Sequence, residues 1–347
     1  MRAVVLQGHR SVSVENVPDP VLLGPDSAIV AVDRTAICGS DLHLYHGEIG
    51  GQGIQLGHEF VGTIVETGPE VRRVKKGDRV IVSAVVGCGH CNACLSRDPV
   101  LCTGGGPRVF GTTLEFHGGQ SELCAVPGAD AFCLPIPENV TVDQSVLLTD
   151  ILPTGFTGAM NANITPGSTV AVFGLGPVGV FALQTAKLYG PSRILAVDRL
   201  PQRLARAAEL GAEPIDASDG QAVAKILEAT KGIGVNSAIE AVGADATITD
   251  AIMSVAAGGT VSVIGVNMNM EFPYPMPLAF MKRLTLKAAL VSVPGTWDHL
   301  VPLIASGKLH PEQVFTHQLG LSQAAEGYRI FDNREDGVLK VLLDPSK

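Results

Sequence analysis

Four cysteines, Cys88, Cys91, Cys94 and Cys102, fall within one stretch of fifteen residues. Thiolates spaced this closely in a glycine-containing loop can close a tetrahedral zinc shell without help from the rest of the chain. Such a shell is saturated, so the ion would fold the loop, about residues 87–103, and leave no position for a substrate. Four free core thiols would not gather in a stretch as polar as residues 87–98. His90, inside the loop, reads as a solvated side chain. Arg97 and Arg108 are candidates to offset the residual negative charge of four thiolates on one zinc ion. Cys124 and Cys133 lie in apolar, strand-like segments and read as buried, inert thiols.

A second constellation is Gly174-Leu175-Gly176-Pro177-Val178-Gly179, a G-x-G-x-x-G run between a strand-like stretch, 169–173, and a helix-like one from Val178. In that context the first glycine allows a tight turn, the second admits a pyrophosphate, and the third lets helix and strand pack closely. The free N–H groups and positive dipole of the helix start then suit phosphate. Asp198 lies nineteen residues after Gly179, at the end of the next strand-like run. A carboxylate there accepts ribose hydroxyls and repels a 2′-phosphate, which favours NAD over NADP. Arg199 and Arg203 pull the other way, because an arginine at that place can hold the 2′-phosphate.

The elements that must carry these groups change character along the 347 residues. Up to about Leu152 the chain consists of short β-rich runs, such as 28–32, 62–66 and 79–83, broken by glycine and proline. From Pro153 to about Leu290, apolar runs of strand length alternate with helix-like stretches: 169–173, 178–189, 193–197 and 202–210. That alternation marks βαβ units and a parallel sheet. Thr260–Gly265 reads as its edge strand. After Val291 a helix-like 298–306 and a strand-like 337–343 remain, the latter suited to rejoin the first lobe and so make it discontinuous.

Composition narrows the function. A hydrophobic share of 46% with 17% charged residues is that of a globular protein. The formal charge of −9 provides no basic stripe for nucleic acid. No apolar run approaches the roughly 18 residues of a membrane span, so no membrane partner is expected. The start MRAVVLQGHRSVSVEN alternates like a strand and lacks a signal-peptide pattern. Seven cysteines, four of them clustered, fit metal-bound thiolates in a reducing compartment, and the cytoplasm is the expected location.

Gly57-His58-Glu59, Gly62, Gly68 and Val71 follow a Cys38-Gly39-Ser40-Asp41-x-His43 segment and precede the four-cysteine loop and the glycine-rich turn. In these motifs and their order the chain resembles the zinc-containing medium-chain alcohol dehydrogenases over essentially its whole length. Residues 148–155, LTDILPTG, bring it closest to the formaldehyde-dehydrogenase-like branch. The resemblance implies a Rossmann doubly wound α/β domain, residues 153–290, inserted in a β-rich GroES-like catalytic domain, residues 1–152 plus 291–347. It implies two zinc ions per chain, a structural one on the four cysteines and a catalytic one on Cys38, His58 and Asp150. Asp150 stands where the family often has cysteine. Glu59 resembles a carboxylate behind the catalytic zinc that reaches it transiently. Read alone, His58 also suits a hydrogen-bonded core histidine, Asp150 a helix cap, Glu59 a solvated carboxylate and His43 a surface histidine.

The chemistry that follows is hydride transfer between NAD and an alcohol whose pKa zinc lowers. By resemblance Ser40 takes the departing proton, which passes through the cofactor ribose to His43 and out to solvent. His46 falls off the family spacing. Thr154 matches a nicotinamide contact, and backbone near Ala288–Leu290 a carboxamide contact. Phe110, Leu114 and Phe116 are candidate walls of an apolar pocket. The expected substrate is a neutral primary or secondary alcohol or the matching aldehyde or ketone, and the expected assembly a homodimer or homotetramer. Formaldehyde or other aldehyde oxidation, dismutation with retained NAD, and polyol oxidation are neighbouring activities. A zinc- and NAD-binding sensor or structural protein without turnover is the non-enzymatic alternative, disfavoured by an intact Ser40, His43 and Asp150.

Overall fold

The β-branched runs Ala28–Ile37 and Glu59–Thr67 pair antiparallel at the middle of a seven-stranded sheet. The computed structural model describes residues 1–347. Outward from this pair lie Arg79–Val82 and Cys133–Pro135 on one side, and Lys340–Asp344 and Phe315–Gly320 on the other; Leu123–Val126 also pairs with Ala28–Ile37. Lys340–Asp344 is buried along its whole length, and its Val341 sits opposite Ile37. The end of the chain therefore belongs to the sheet that its beginning builds, and one unit comprises Met1–Pro153 and Ser292–Lys347. Two apolar clusters support it, one around Val30, Phe60, Ile64 and Val82, the other around Leu6, Ile37, Tyr328 and Leu343. Each such side chain contributes about 1.5–3 kcal/mol on burial.

The second unit, Thr154–Val291, holds a six-stranded sheet whose strands all run parallel. Its order is Glu213–Asp216, Arg193–Asp198, Thr169–Phe173, Val235–Glu240, Val255–Val263, Thr285–Ala288. That is the doubly wound 3-2-1-4-5-6 arrangement, with helices covering both faces. The apolar runs TVAVF and ILAV are buried on both sides, between one cluster containing Val170, Leu183 and Ala196 and another containing Phe173, Leu195 and Ile252. The first and fourth strands in this order of winding, Thr169–Phe173 and Val235–Glu240, are neighbours. The chain reverses its direction of winding there, and the loops at their carboxyl ends diverge to leave a crevice.

The edge strand is a correction. Val255–Val263 lies inside the sheet, between Val235–Glu240 and Thr285–Ala288. Thr285–Ala288 is the edge, and its sequence TLKA is exposed at every position. Apolar content had pointed to the wrong strand because interior strands need it on both faces, whereas an edge does not. The helix expected at 298–306 begins earlier, as Val293–Ala305, with Pro294 in its first turn. No helix is long and apolar enough to cross a membrane.

Candidate metal centres and dinucleotide loop

Antiparallel register brings the first donors together. Ala36 pairs with Glu59, so Cys38, just past one strand, and His58, just before the other, emerge side by side. Asp150 arrives from the residue preceding the helix Ile151–Asn161. One ligand atom each from Cys38, His58, Glu59 and Asp150 lies within 4.8 Å of all the others. Asp150 Oδ2 is 3.6 Å from Cys38 Sγ and 3.3 Å from His58 Nε2. Tetrahedral zinc with bonds of about 2.3 Å to sulfur and about 2.0–2.1 Å to nitrogen and oxygen would set these edges at about 3.5 and about 3.3 Å. The donor set fits the ion in type and in spacing.

The electrostatics agree with that fit. Burial pushes the Cys38 thiol up, as does neighbouring Glu59. Burial opposes charge on His58, yet Asp41 and Cys38 hold it well above the usual imidazole range. Several buried groups of one sign in contact are costly, and a divalent cation among them offsets that cost. Asp41 Oδ1 lies 3.1 Å from His58 Nδ1, which leaves Nε2 facing the other donors.

Glu59 is fully buried, so it is not a solvated strand-end carboxylate. Lys340 Nζ, also fully buried, stands 2.5 Å from its Oε2. Neither carboxylate oxygen nor the ammonium has a hydrogen-bond partner besides this contact. Burial opposes the charge on Lys340, and attraction to Glu59 overcomes it and holds the lysine above its usual range. Sequence reasoning missed Lys340; its signal was a lone lysine in the otherwise apolar run 338–343.

Ser40 stands among the donors, its Oγ 3.3 Å from both Cys38 Sγ and His58 Nε2. His43 does not join the cluster. It is partly exposed, and its Nδ1 lies 2.6 Å from Glu48 Oε2. His46 is engaged elsewhere, with Nε2 2.7 Å from Asp332 Oδ1.

The second cluster contains all four cysteines of the 88–102 stretch, with Cys88 and Cys94 sulfurs 4.0 Å apart and those of Cys91 and Cys102 also 4.0 Å apart. Tetrahedral zinc–sulfur geometry would set such edges at about 3.8 Å. Backbone amides of Cys88 and Gly104 point at Cys102 Sγ, from 3.2 and 3.3 Å, and the Cys91 amide points at Cys88 Sγ. Such N–H groups stabilise thiolates, and amide hydrogen bonding lowers Cys91 to about 5, whereas burial raises Cys94 to about 12. The two arginines proposed to offset the lobe are engaged elsewhere, which is a correction. Arg97 pairs with Asp298 at 2.7 Å, and Arg108 lies 4.8 Å over the Phe116 ring. His90 is exposed. Cys124 and Cys133 are buried, and desolvation raises both thiols far from ionisation.

The suggested pocket walls fare differently. Phe110 and Phe116 stack at 4.5 Å within the apolar core, Phe60 meets Phe110 edge-on, and Leu114 is exposed. They are core aromatics and one surface leucine, because the chain after the cysteine lobe turns back against the sheet.

In the second unit, Gly174 ends the strand Thr169–Phe173 with φ +85°, and Gly176 caps the helix Pro177–Ala186. A Cβ on Gly179 would lie 1.7 Å from the Gly174 carbonyl oxygen, so only glycine permits this approach. Val178 and Thr154 are half-buried, the latter in the helix Ile151–Asn161. Asp198 ends the strand Arg193–Asp198. Its Oδ2 accepts from the Leu175 amide at 2.7 Å, and its Oδ1 accepts from the amides of Arg199 and Leu200. The carboxylate thus ties the glycine loop to the next turn. Arg203 Nη1 stands 3.6 Å from Asp198 Oδ2, while the Arg199 side chain is exposed. Sequence reasoning also missed Glu240, buried at the crevice, which accepts hydrogen bonds from the Val242 and Gly243 amides and from Thr247 Oγ1.

A doubly wound parallel sheet joined to a β-rich unit with two metal-type donor clusters is the build of a zinc-binding dehydrogenase. The model of the alcohol dehydrogenase GroES-like domain matches residues 24–138, and that of the zinc-binding dehydrogenase domain matches residues 177–306. A protein of Mycobacterium tuberculosis named as a probable zinc-binding alcohol dehydrogenase is 48% identical over 99% of this chain and 89% of its own length. The solved alcohol dehydrogenase TADH from Thermus sp. ATN1 superposes with a TM-score of 0.92 at 39% identity, covering 99% of both chains. A zinc-binding dehydrogenase from Sinorhizobium meliloti, solved with NADP, gives a TM-score of 0.84 at 28% identity, also over 99% of both chains. This chain belongs to the zinc-dependent medium-chain alcohol dehydrogenase family and is an oxidoreductase.

Proposed function

We propose that the chain interconverts a neutral primary or secondary alcohol and its aldehyde or ketone, with NAD as the hydride partner. The observation that carries this is the Cys38–His58–Asp150 donor set, two of its members buried and Asp150 partly so, with Ser40 beside it. Those three residues would hold the catalytic zinc, Glu59 stands behind them, and Cys88, Cys91, Cys94 and Cys102 would hold a structural one. Residues 1–152 plus 291–347 form the catalytic domain and 153–290 the cofactor domain. Zinc at this site supplies Lewis acidity toward the alcohol oxygen, and the nicotinamide supplies the hydride acceptor.

The chain's own part is binding and proton handling. Ser40 accepts the proton leaving the alcohol, since its hydroxyl lies against two of the zinc ligands. His43 releases it to solvent, and the Glu48 contact at Nδ1 keeps Nε2 free for that exchange. The Gly174–Leu175–Gly176 backbone and the start of the helix Pro177–Ala186 receive the pyrophosphate, with Pro177, Val178 and Gly179 in its first turn. Asp198 receives the adenosine ribose and disfavours a 2′-phosphate, while Arg199 and Arg203 line the same end. Thr154 contacts the nicotinamide. The protein works in a reducing compartment such as the cytoplasm.

A second copy is the expected partner for the exposed edge strand Thr285–Ala288. Phe280 and Met281, each 78% exposed, lie in the adjoining helix Met276–Lys282. Light scattering that returned a monomer would refute that assembly. The activity itself is tested by following NADH formation over small alcohols, and its reversal over aldehydes, with NAD and NADP compared. Asp150→Ala should abolish turnover while the protein stays folded and keeps one zinc per chain; full turnover in that variant would overturn the site.

A further inference from the structure

Behind His58 runs a line of buried polar side chains that the proposed chemistry leaves unused. Asp41 Oδ1 lies 3.1 Å from His58 Nδ1. Its other oxygen accepts from Gln120 Nε2 at 3.1 Å and from the Cys38 amide at 3.0 Å. Gln120 Nε2 also donates to the Ala36 carbonyl at 3.1 Å, and Gln120 Oε1 accepts from the Tyr328 hydroxyl at 2.9 Å. All four side chains are buried, Gln120 and Tyr328 completely. Gln120 can come this close because Gly57, next to His58, has no side chain; a Cβ there would lie 2.4 Å from Gln120 Cγ.

The chemistry of the groups gives this line one direction. A carboxylate and a carbonyl are acceptors, so the Gln120 amide must turn its NH2 toward Asp41 and Ala36. The flipped amide would set oxygen against oxygen at both places. Its own oxygen then faces Tyr328, which has to donate. Asp41 Oδ1 has no hydrogen-bond partner and faces His58 Nδ1 at 3.1 Å, so a neutral His58 is favoured with its proton on Nδ1 and the Nε2 lone pair toward Cys38 and Asp150. Tyr328 comes from the helix Ala324–Asn333, 208 residues beyond Gln120, and the sequence marks neither residue.

We propose that Tyr328 and Gln120 are positioning residues that, through Asp41, aim His58 at the catalytic metal and set how firmly that metal is kept. The proposal rests on Cys38, His58 and Asp150 holding a zinc ion. The opposing view is that Tyr328 merely fills space against Tyr45, whose ring lies 5.3 Å away. Tyr328→Phe separates the two, because it keeps the ring and removes only the donor. Gln120→Leu removes all three hydrogen bonds of the amide and is the stronger perturbation.

The test is release of zinc from the purified, zinc-loaded enzyme into a chelator with a metallochromic dye. The four-cysteine site serves as an internal reference within each protein. Partners of this kind typically change metal affinity by 10–100-fold. We expect Gln120→Leu to speed release from the catalytic site about 10-fold and Tyr328→Phe severalfold, with the slower phase unchanged. The cobalt-substituted proteins should show shifted visible bands for the same reason. His58→Ala is the control. If it leaves the zinc content at the wild-type value, the site reading fails and the proposal falls with it. If His58→Ala loses the ion while Tyr328→Phe releases it at the wild-type rate, positioning is refuted and Tyr328 only packs, whether or not Gln120→Leu folds.

Discussion

Replacing Lys340 by methionine keeps most of the side-chain volume and removes the only partner of the Glu59 carboxylate. At the 2.5 Å contact and an effective dielectric constant of about 20, the Coulomb attraction lost is roughly 7 kcal/mol before the regained hydration is counted. Breaking one side of a buried pair typically costs about 3–5 kcal/mol, because a charge remains without a partner. The lone tryptophan, Trp297, reports on the right unit: it is 3% exposed and donates to the Leu148 carbonyl at 2.9 Å. Its fluorescence in urea should show the variant unfolding about 1–2 M earlier, taking a slope of about 2–3 kcal/mol per molar. Adding Glu59→Gln should recover most of the loss, since a neutral buried pair carries no orphan charge. The pH dependence has a definite sign. The folded-state value of Lys340 lies above the usual 10.5, so on the alkaline side the pair's contribution is intact up to 10.5 and fades as pH rises through the higher value. Burial holds the Glu59 carboxyl above its usual range, so the gap between wild type and Lys340→Met should hold steady toward about pH 9 and narrow on the acid side as Glu59 takes up a proton. A Lys340→Met protein that unfolds at the wild-type urea concentration would show that no buried pair forms in solution.

Other expectations follow from the same geometry. Asp198→Ala should weaken NAD more than NADP in a binding titration; it should weaken both somewhat, because the carboxylate also anchors the Leu175 amide. Equal loss for the two cofactors would leave Asp198 a purely structural tie. Cys94→Ser should release the lobe zinc and lower the melting temperature, while Cys38, His58 and Asp150 keep theirs; metal analysis after gel filtration decides this. His43→Ala should lower kcat about 10-fold or more and recover in part when imidazole is added, and a variant insensitive to imidazole with full activity would remove His43 from the proton path.

The parts of this protein legible from its residues alone are those whose chemistry is local. Four thiolates within fifteen residues need only a short loop to meet one another, and the glycine-rich turn needs only the strand before it and the helix after it. Doubly wound order likewise shows as alternating apolar runs, because a strand covered on both faces must be apolar throughout. Cys38, His58 and Asp150 obey no local spacing, and a family resemblance linked them. What sets them side by side is the antiparallel register of Ala36 with Glu59 and the return of the chain at Asp150. Gln120 and Tyr328 were silent, and Lys340 showed only as a lone lysine in an apolar run. A lysine in a strand ordinarily turns to water, and this one is enclosed only because Lys340–Asp344 is inserted between Phe315–Gly320 and Ala28–Ile37. The edge strand was misjudged for a related reason: exposure of a strand depends on which neighbours it acquires. Sequence determined which groups could do chemistry, and tertiary structure decided which of them lost water together, since burial and partnership are properties of surroundings that distant segments supply.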